Sequence, residues 1–343
     1  MIRVGILGAS GYAGLELLKL LLAHPDVQII KLFGFTTIGE DIASIHPVLR
    51  GMFSMTIEDF SPNALNEIDL LFVSLPSGQS MTYIPSALEA GCTVIDLGGD
   101  FRLSNPEIFK QYYEHDHTAT HLLSTSVYGL TEWNSGAIKH AQLIANPGCY
   151  PTSILLALLP LLKHNVLASS SLGITAYSGT SGAGKSVTEK MIFAEVNESV
   201  RAYKVGSHQH IPEIKQYCEF FGGVEVNFSF IPHLLPTTRG IYTTIHAVVN
   251  EGVDDHLIRF AFNEAYSTSS FVRFIAPSIP EMKNVVNTNS CDISYALQGE
   301  QLVLFSTIDN LLKGAAGQAV QNMNVRYGLD DAKGILPWFR KNI

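Results

Sequence analysis

Ile2-Arg3-Val4-Gly5-Ile6-Leu7-Gly8-Ala9-Ser10-Gly11-Tyr12-Ala13-Gly14 decides the fold. A short apolar run meets a glycine turn, and leucines at helical spacing follow as far as Ala23, before His24-Pro25. A second apolar run, Val27 to Phe35, completes a β–α–β unit. The turn reads G-x-x-G-x-x-G and lies where a strand hands over to a helix. Glycines there let the backbone approach a pyrophosphate, which the helix N-terminus then binds. Gly8, Ser10, Gly11, Tyr12 and Gly14 are therefore candidate dinucleotide-binding residues, the alternative being a tight turn with no ligand.

The same alternation continues outward from that unit. Asp69 to Leu75 reads as a strand, Gln79 to Ala90 as a helix and Thr93 to Leu97 as a strand, the pattern of a parallel doubly wound sheet. Ligands bind at the C-terminal ends of such strands, which singles out Ser74 and, after the next strand, Arg102 as a holder of an anionic substrate group. The second strand ends at Phe35-Thr36-Thr37, with no acid before Glu40. An acid there would bind the ribose 2′-hydroxyl of NAD, whereas hydroxyls can donate to a 2′-phosphate, so Thr36 points to NADP.

Composition narrows the class. A net charge of −9 argues against a nucleic-acid or anionic-membrane surface. The four cysteines, Cys92, Cys149, Cys218 and Cys291, are far apart with no C-x-x-C, which suits a reducing cytosol and neither a disulfide framework nor a zinc knuckle. The longest apolar stretch, Ile154 to Leu162, is too short to span a bilayer. With a strand at the very start, no signal peptide is expected and a cytoplasmic protein is. His115-Asp116-His117 with His121 invites a metal reading, but the spacing is loose and no metal is expected.

Ala145-Asn146-Pro147-Gly148-Cys149-Tyr150-Pro151-Thr152 joins a short strand to the apolar helix that follows. Proline is tolerated at a helix start, where its missing N–H would have no partner. Cys149 then lies at the helix N-terminus, where the dipole favours a thiolate. A nucleophile needs that environment; a structural cysteine in a turn is the other reading of the same residues.

Farther on, Gly179 to Ser186 matches G-x-x-x-x-G-K-[ST] after a strand (Leu172 to Tyr177) and before a helical run (Val187 to Val196). A P-loop ATPase is thus a rival reading. Against it, the N-terminal β–α–β already supplies a dinucleotide site. Next, His208-Gln209-His210 precedes an amphipathic helix carrying Glu213 and Tyr217. Histidine is the common acid–base partner of a cysteine nucleophile. Strands are expected at Glu225 to Ile231, Ile241 to Val249 and Phe271 to Ala276, with a helix from Asp254 to Ser267 and a hairpin of Asp292 to Leu297 with Gln301 to Ile308. Consecutive strands with few helices make this an α+β domain with a mixed, largely antiparallel sheet. A final helix of small residues opens after Asn310 and is placed back on the first domain.

With these pieces quoted, the chain resembles the N-acetyl-gamma-glutamyl-phosphate reductases of arginine biosynthesis, relatives of the aspartate-semialdehyde dehydrogenases. The resemblance runs from end to end. Its carriers are the Gly8–Gly14 turn, Asp100-Phe101-Arg102, Tyr128 to Glu132, Asn146 to Thr152, Ser178 to Gly184, His208 to Ile214, Pro232 to Gly240 and Lys313 to Ala319. Leu97-Gly98-Gly99 departs from the serine and alanine commoner before Asp-Phe-Arg. The resemblance implies a Rossmann-type NADP-binding domain (1–148 with 314–343) and a catalytic and oligomerisation domain (149–313). It implies NADPH-dependent reductive dephosphorylation of N-acetyl-glutamyl phosphate, a small-molecule acyl phosphate, in a homo-oligomer, dimer or tetramer, that binds no nucleic acid and no membrane. By position, Cys149 would be the nucleophile and His210 the acid–base. His208, Arg102, Arg239 and Glu213 would lie at the substrate, and Ser178, Gly179 and Asn310 at the cofactor. A sibling reductase for aspartyl or 2-aminoadipyl phosphate fits the same motifs.

Overall fold

The structure is a computed structural model that describes residues 1–168, 172–185 and 188–335. The chain divides into two units, Met1–Pro147 with the chain from Ala315 on, and Gly148–Gly314.

The first unit holds seven strands: β1 (Ile2–Leu7), β2 (Val27–Gly34), β3 (Ile57–Asp59), β4 (Leu70–Val73), β5 (Thr93–Asp96), β6 (Val127–Tyr128) and β7 (Leu143–Ala145). Their order is β3-β2-β1-β4-β5-β7-β6, and every pairing is parallel. A strand covered on both faces is mostly apolar, and β4, β5 and β7 are buried at every position, β5 with the polar Thr93 and Asp96 at its ends. β1 lies between β2 and β4, so the connections leave it in opposite directions and open a crevice at its C-terminal end. The Gly8–Gly14 turn occupies that end.

The closing helix, Gly317–Arg326, also packs in this unit. Its small residues Gly317 and Ala319 are buried, and buried amides beside them make the hydrogen bonds. Gln318 Nε2 donates to Gly129 O at 2.9 Å and to Thr131 Oγ1 at 2.6 Å. Asn322 Nδ2 donates to Gly129 O and to Asn146 Oδ1.

The second unit carries β8 (Leu172–Ser178), β9 (Arg201–Ala202), β10 (Phe228–Leu234), β11 (Ile241–Val248), β12 (Val272–Phe274), β13 (Cys291–Gln298) and β14 (Gln301–Ile308), ordered β12-β13-β14-β11-β8-β10-β9. Pairings β8–β10 and β12–β13 are parallel and the other four antiparallel, the mixed sheet expected. β13 and β14 form the expected hairpin. Gln298 pairs with Gln301, and Gly299 supplies the positive φ that a two-residue turn needs. β10 begins three residues later than expected, because Phe230, Pro232 and Leu234 are the side chains that alternate inward. The expected helix from Val187 to Val196 is instead a 3₁₀ turn, Glu189–Met191, and a four-residue helix, Phe193–Val196; Val187 lies outside the described residues. Among its described residues Val196 alone is buried, while Phe193 is 80% exposed, so no apolar stripe holds a longer helix there.

Helix Cys149–Lys163 is the core of this unit, buried at every position from Tyr150 to Leu162. It seats on the sheet through hydroxyls, Ser153 Oγ lying 2.9 Å from both Thr243 Oγ1 and Ser306 Oγ. Pro160 has no N–H to give the Leu156 carbonyl, the acceptor one turn back. Tyr266 Oη fills that vacancy, donating to Leu156 O at 2.6 Å. Tyr266→Phe should therefore cost about 1–2 kcal/mol, the penalty of a buried carbonyl left unsatisfied. Urea unfolding of the variant checks this, and a midpoint equal to that of the parent would refute it.

Candidate active site

The Gly8–Gly14 turn is built from backbone. Gly8 has φ +93°, and a Cβ there would lie 2.3 Å from Ser74 O. A Cβ on Gly14 would come within 2.5 Å of Gly8 O. These two glycines are needed for the turn itself. Gly11 differs: its nearest atom would be Gly8 O at 3.7 Å, so the space over it is open. Gly11 is also the N-cap of helix Tyr12–Leu22 and provides no side-chain cap. Open space over an uncapped helix start fits a pyrophosphate. His46 Nε2 bonds Ala9 O at 3.0 Å and steadies the turn from the side, a contact that sequence reasoning missed. Thr36 is exposed in the turn after β2, whereas Thr37 Oγ1 is buried without a partner among the described residues.

Arg102 is no solvated loop arginine. It is buried, with Nε donating to Asn146 O and Nη2 to Leu97 O, both at 2.8 Å, and so clamps together the segments leaving β5 and β7. Close by in sequence, Ser80 Oγ bridges the carboxylates of Asp96 (3.0 Å) and Asp100 (2.8 Å). Burial and then the Asp100 charge push the Asp96 carboxyl up to about 7. The tempting histidine cluster dissolves. His117 is buried between Phe101 and Phe109 with Nε2 on Asp100 O, and Asp116 pairs with Lys110. Among the described residues no three metal-binding side chains converge.

In the second unit, Cys149 is the first residue of its helix, half-buried and in no disulfide. Gly148 caps the helix in extended conformation and donates its N–H to Glu213 Oε1 at 2.8 Å. Thr152 returns both its N–H and its hydroxyl to Gly148 O. A Cβ on Gly314, in the π-turn Leu312–Ala316, would lie 2.8 Å from Cys149 Cβ. The ring of Tyr150 stands edge-on to His208, His210 and Phe230. Tyr203 Oη donates to Tyr150 Oη, which donates to His233 O. Burial raises both phenols, Tyr203 to about 12. His208 is 3% exposed, and burial lowers its imidazole to about 3, so it stays neutral. Its Nδ1 accepts the His210 backbone N–H at 3.1 Å. That fixes the proton of His208 on Nε2.

The Walker-like loop has its donors turned inward. The N–H groups of Gly179, Thr180, Ser181, Gly182 and Gly184 bond carbonyls of Gly240, Thr237, Thr238, Gly179 and Ser181. A phosphate loop needs those N–H groups aimed at its ligand, and Ser186, the last residue of the motif, lies outside the described residues. Gly179 is required because a Cβ would meet Arg239 N at 2.7 Å. Asn310 ties the loop down, accepting from Gly240 N and donating to Ser181 Oγ, near Ser178 at the end of β8. Arg239 forks onto Asp309 with two 3.0 Å bonds.

Residues 3–141 match the family model described as semialdehyde dehydrogenase, NAD binding domain, and 149–310 that of the semialdehyde dehydrogenase dimerisation domain. The chain is 43% identical over 339 residues to the N-acetyl-gamma-glutamyl-phosphate reductase of Brevibacillus brevis, covering 98% of each. It is 41% identical to that of Caldicellulosiruptor bescii, again covering 98% of each. The chain belongs to the N-acetyl-gamma-glutamyl-phosphate reductase family. Its fold is that of aspartate semialdehyde dehydrogenase II from Vibrio cholerae complexed with ASA (TM-score 0.73, 16% identity, 96% of this chain and 98% of that one). It is also that of the Candida albicans enzyme with NADP (TM-score 0.72, 14% identity, 98% and 100%). The P-loop reading is thereby displaced, since both units match an oxidoreductase family.

Two expectations follow from this geometry. Gly314→Ala should displace the thiol and lower kcat about 10- to 100-fold while the far-UV spectrum is kept, so unchanged turnover would sink the proposed contact. His208 titrates near 3 when folded against near 6.5 unfolded, so the unfolded chain takes up the proton first as pH falls. Stability present above about pH 6.5 is then lost toward pH 3, by up to about 1.4 kcal/mol per pH unit. His208→Gln should flatten urea-derived stability between pH 6 and 4, and an unaltered slope would refute the assignment.

Proposed function

We propose that this chain catalyses the NADPH-dependent reductive dephosphorylation of N-acetyl-L-glutamyl 5-phosphate to N-acetyl-L-glutamate 5-semialdehyde and phosphate, through a thioacyl group on Cys149. The observation that carries the reading is Cys149 as first residue of a buried helix, in a chain related end to end to reductases of that name. The helix start favours the thiolate. The Cys149 sulfur attacks the γ-acyl carbon, the carbonyl π-electrons move onto oxygen, and re-forming the carbonyl breaks the C–O bond to phosphate, leaving a thioester. His210 takes the thiol proton and holds it through the transfer. The oxyanion is met by donors at the helix start. Gly8, Ser10, Gly11, Tyr12 and Gly14 would hold the dinucleotide, with Thr36, Ser74, Ser178, Gly179 and Asn310 assigned to it as well. When bound, NADPH supplies the hydride that reduces the thioester carbonyl. Collapse of the thiohemiacetal then returns the Cys149 thiolate and frees the aldehyde. Arg102 and Arg239 are assigned to the anionic groups of the substrate, and His208, held neutral by burial, supports the His210 backbone.

We assign the second unit also to self-association. Its sheet leaves Tyr177, Tyr242, Thr244 and Phe305 half-buried on one face, the side away from Ser153. Such a face suits a second copy of the chain, in keeping with the family description of a dimerisation domain.

The test follows NADP reduction with N-acetyl-glutamate semialdehyde and phosphate, beside the aspartyl and 2-aminoadipyl semialdehydes. Turnover should be highest with the first and fall at least about 1,000-fold in Cys149→Ser. Preference for another semialdehyde would transfer the chain to a sibling reaction, and near-full turnover of the folded variant would overturn the covalent route.

A further inference from the structure

Glu213 is fully buried and lies in the first turn of helix His210–Gly222, three residues after His210. Its Oε1 accepts the N–H of Gly148, the N-cap of helix Cys149–Lys163. Neither N-cap, Gly148 or Gln209, makes a side-chain capping bond of its own. One carboxylate therefore serves at both helix starts, where the positive end of the dipole favours it. The two helices it joins carry the nucleophile and the base of the reaction proposed above.

We propose that Glu213 is a positioning residue. Its carboxylate locks the start of the Cys149 helix to the start of the His210 helix and thereby sets the orientation and reactivity of the thiol. It does not touch substrate. The inference rests on the reading of Cys149 as nucleophile, but its test does not need turnover.

Three consequences follow from the geometry. Gly148 has no side chain to steer it, so the bond to Glu213 holds it at φ −65°, ψ 152° and sets where Cys149 begins the helix. The Gly148 N–H is taken, Pro151 has none, and Thr152 N–H goes to Gly148 O, so the oxyanion donors lie elsewhere in the turn. A negative charge one residue from the thiol also opposes its ionisation and moderates the helix-start effect. The other titratable or charged groups near the helix starts are Tyr150, Tyr203, His208, His210 and Lys313, and the same two helices carry Lys163, Lys215, Tyr217, Cys218 and Glu219 farther along.

Glu213→Gln keeps an oxygen acceptor for Gly148 but removes the charge, whereas Glu213→Ala removes both. Iodoacetamide alkylation of Cys149 is followed against pH by mass spectrometry on the intact protein, with Cys149→Ser as blank. In Glu213→Gln the apparent titration of the thiol should move down by about one pH unit. In Glu213→Ala kcat should fall about 10- to 100-fold with KM for the acyl phosphate within about 2-fold. Glu213→Gln should recover most of that loss. An alkylation profile of Glu213→Gln that overlays the parent would overturn the proposal. So would a raised KM with intact kcat in Glu213→Ala, which marks a substrate ligand. If Glu213→Ala does not fold, the Glu213→Gln profile still decides. If the parent shows no reductase turnover, the alkylation shift judges Glu213 separately from the reaction assigned to the site.

Discussion

A helix buried on every side has only its ends to offer to chemistry, and helix Cys149–Lys163 is that case. From Tyr150 to Leu162 it is buried, so its polar groups must be satisfied by local devices. Ser153 finds hydroxyls on β11 and β14, and the carbonyl that Pro160 strands is taken by Tyr266. Because the body of the helix is fixed so firmly, its first turn can carry a reactive group in one place. Glu213, Thr152 and Gly314 then define that place within a single residue.

The parts of this arrangement that follow local rules were legible in the sequence. The β–α–β start is fixed by a glycine turn between two apolar runs, and Gly8 and Gly14 are needed there because backbone atoms fill the space of a side chain. The hairpin at Gly299 and the start of the helix at Cys149 are likewise written in adjacent residues. Cys149 was legible as a helix-start thiol, though its bland reading as a structural cysteine uses the same residues. The contacts that matter most to it were not. Gly148 meets Glu213 across 65 positions. Arg102 reaches Asn146 across 44. Nothing in the spacing of charged residues marks which carboxylate or guanidinium will be turned inward. The false helix at 187–196 has the opposite cause: its apolar residues exist, but the fold leaves Ile192 and Phe193 exposed.

The Walker-like stretch shows why a motif cannot carry function without the direction of its donors. Gly179 to Lys185 has the residue types of a phosphate loop, and glycine is indeed required at Gly179. The requirement comes from the approach of Thr238 and Arg239, and the loop closes on those residues with its N–H groups bonded to their neighbours. The glycine turn at Gly8–Gly14 matches a looser pattern, yet Gly11 is the one glycine of the turn with open space above it at a helix start. The weaker sequence match is thus the better site.

The histidine pair divides along the same line between what a side chain is and where it is put. His208 and His210 stand two residues apart with rings 4.7 Å between centroids. His208 is enclosed by Tyr150, Tyr203 and Phe230, and its Nδ1 is committed to the His210 N–H. A group held neutral down to about pH 3 is a poor proton carrier near neutrality, but it is a good rigid acceptor. His210 begins the helix that also carries Glu213, so the acceptor on His208 fixes the backbone of the residue assigned to proton transfer. The residue assigned as acid–base, the bond that sets its backbone and the carboxylate bonded to the start of the Cys149 helix thus all act on a single helix turn, and a shift of that turn would move Cys149 and His210 together.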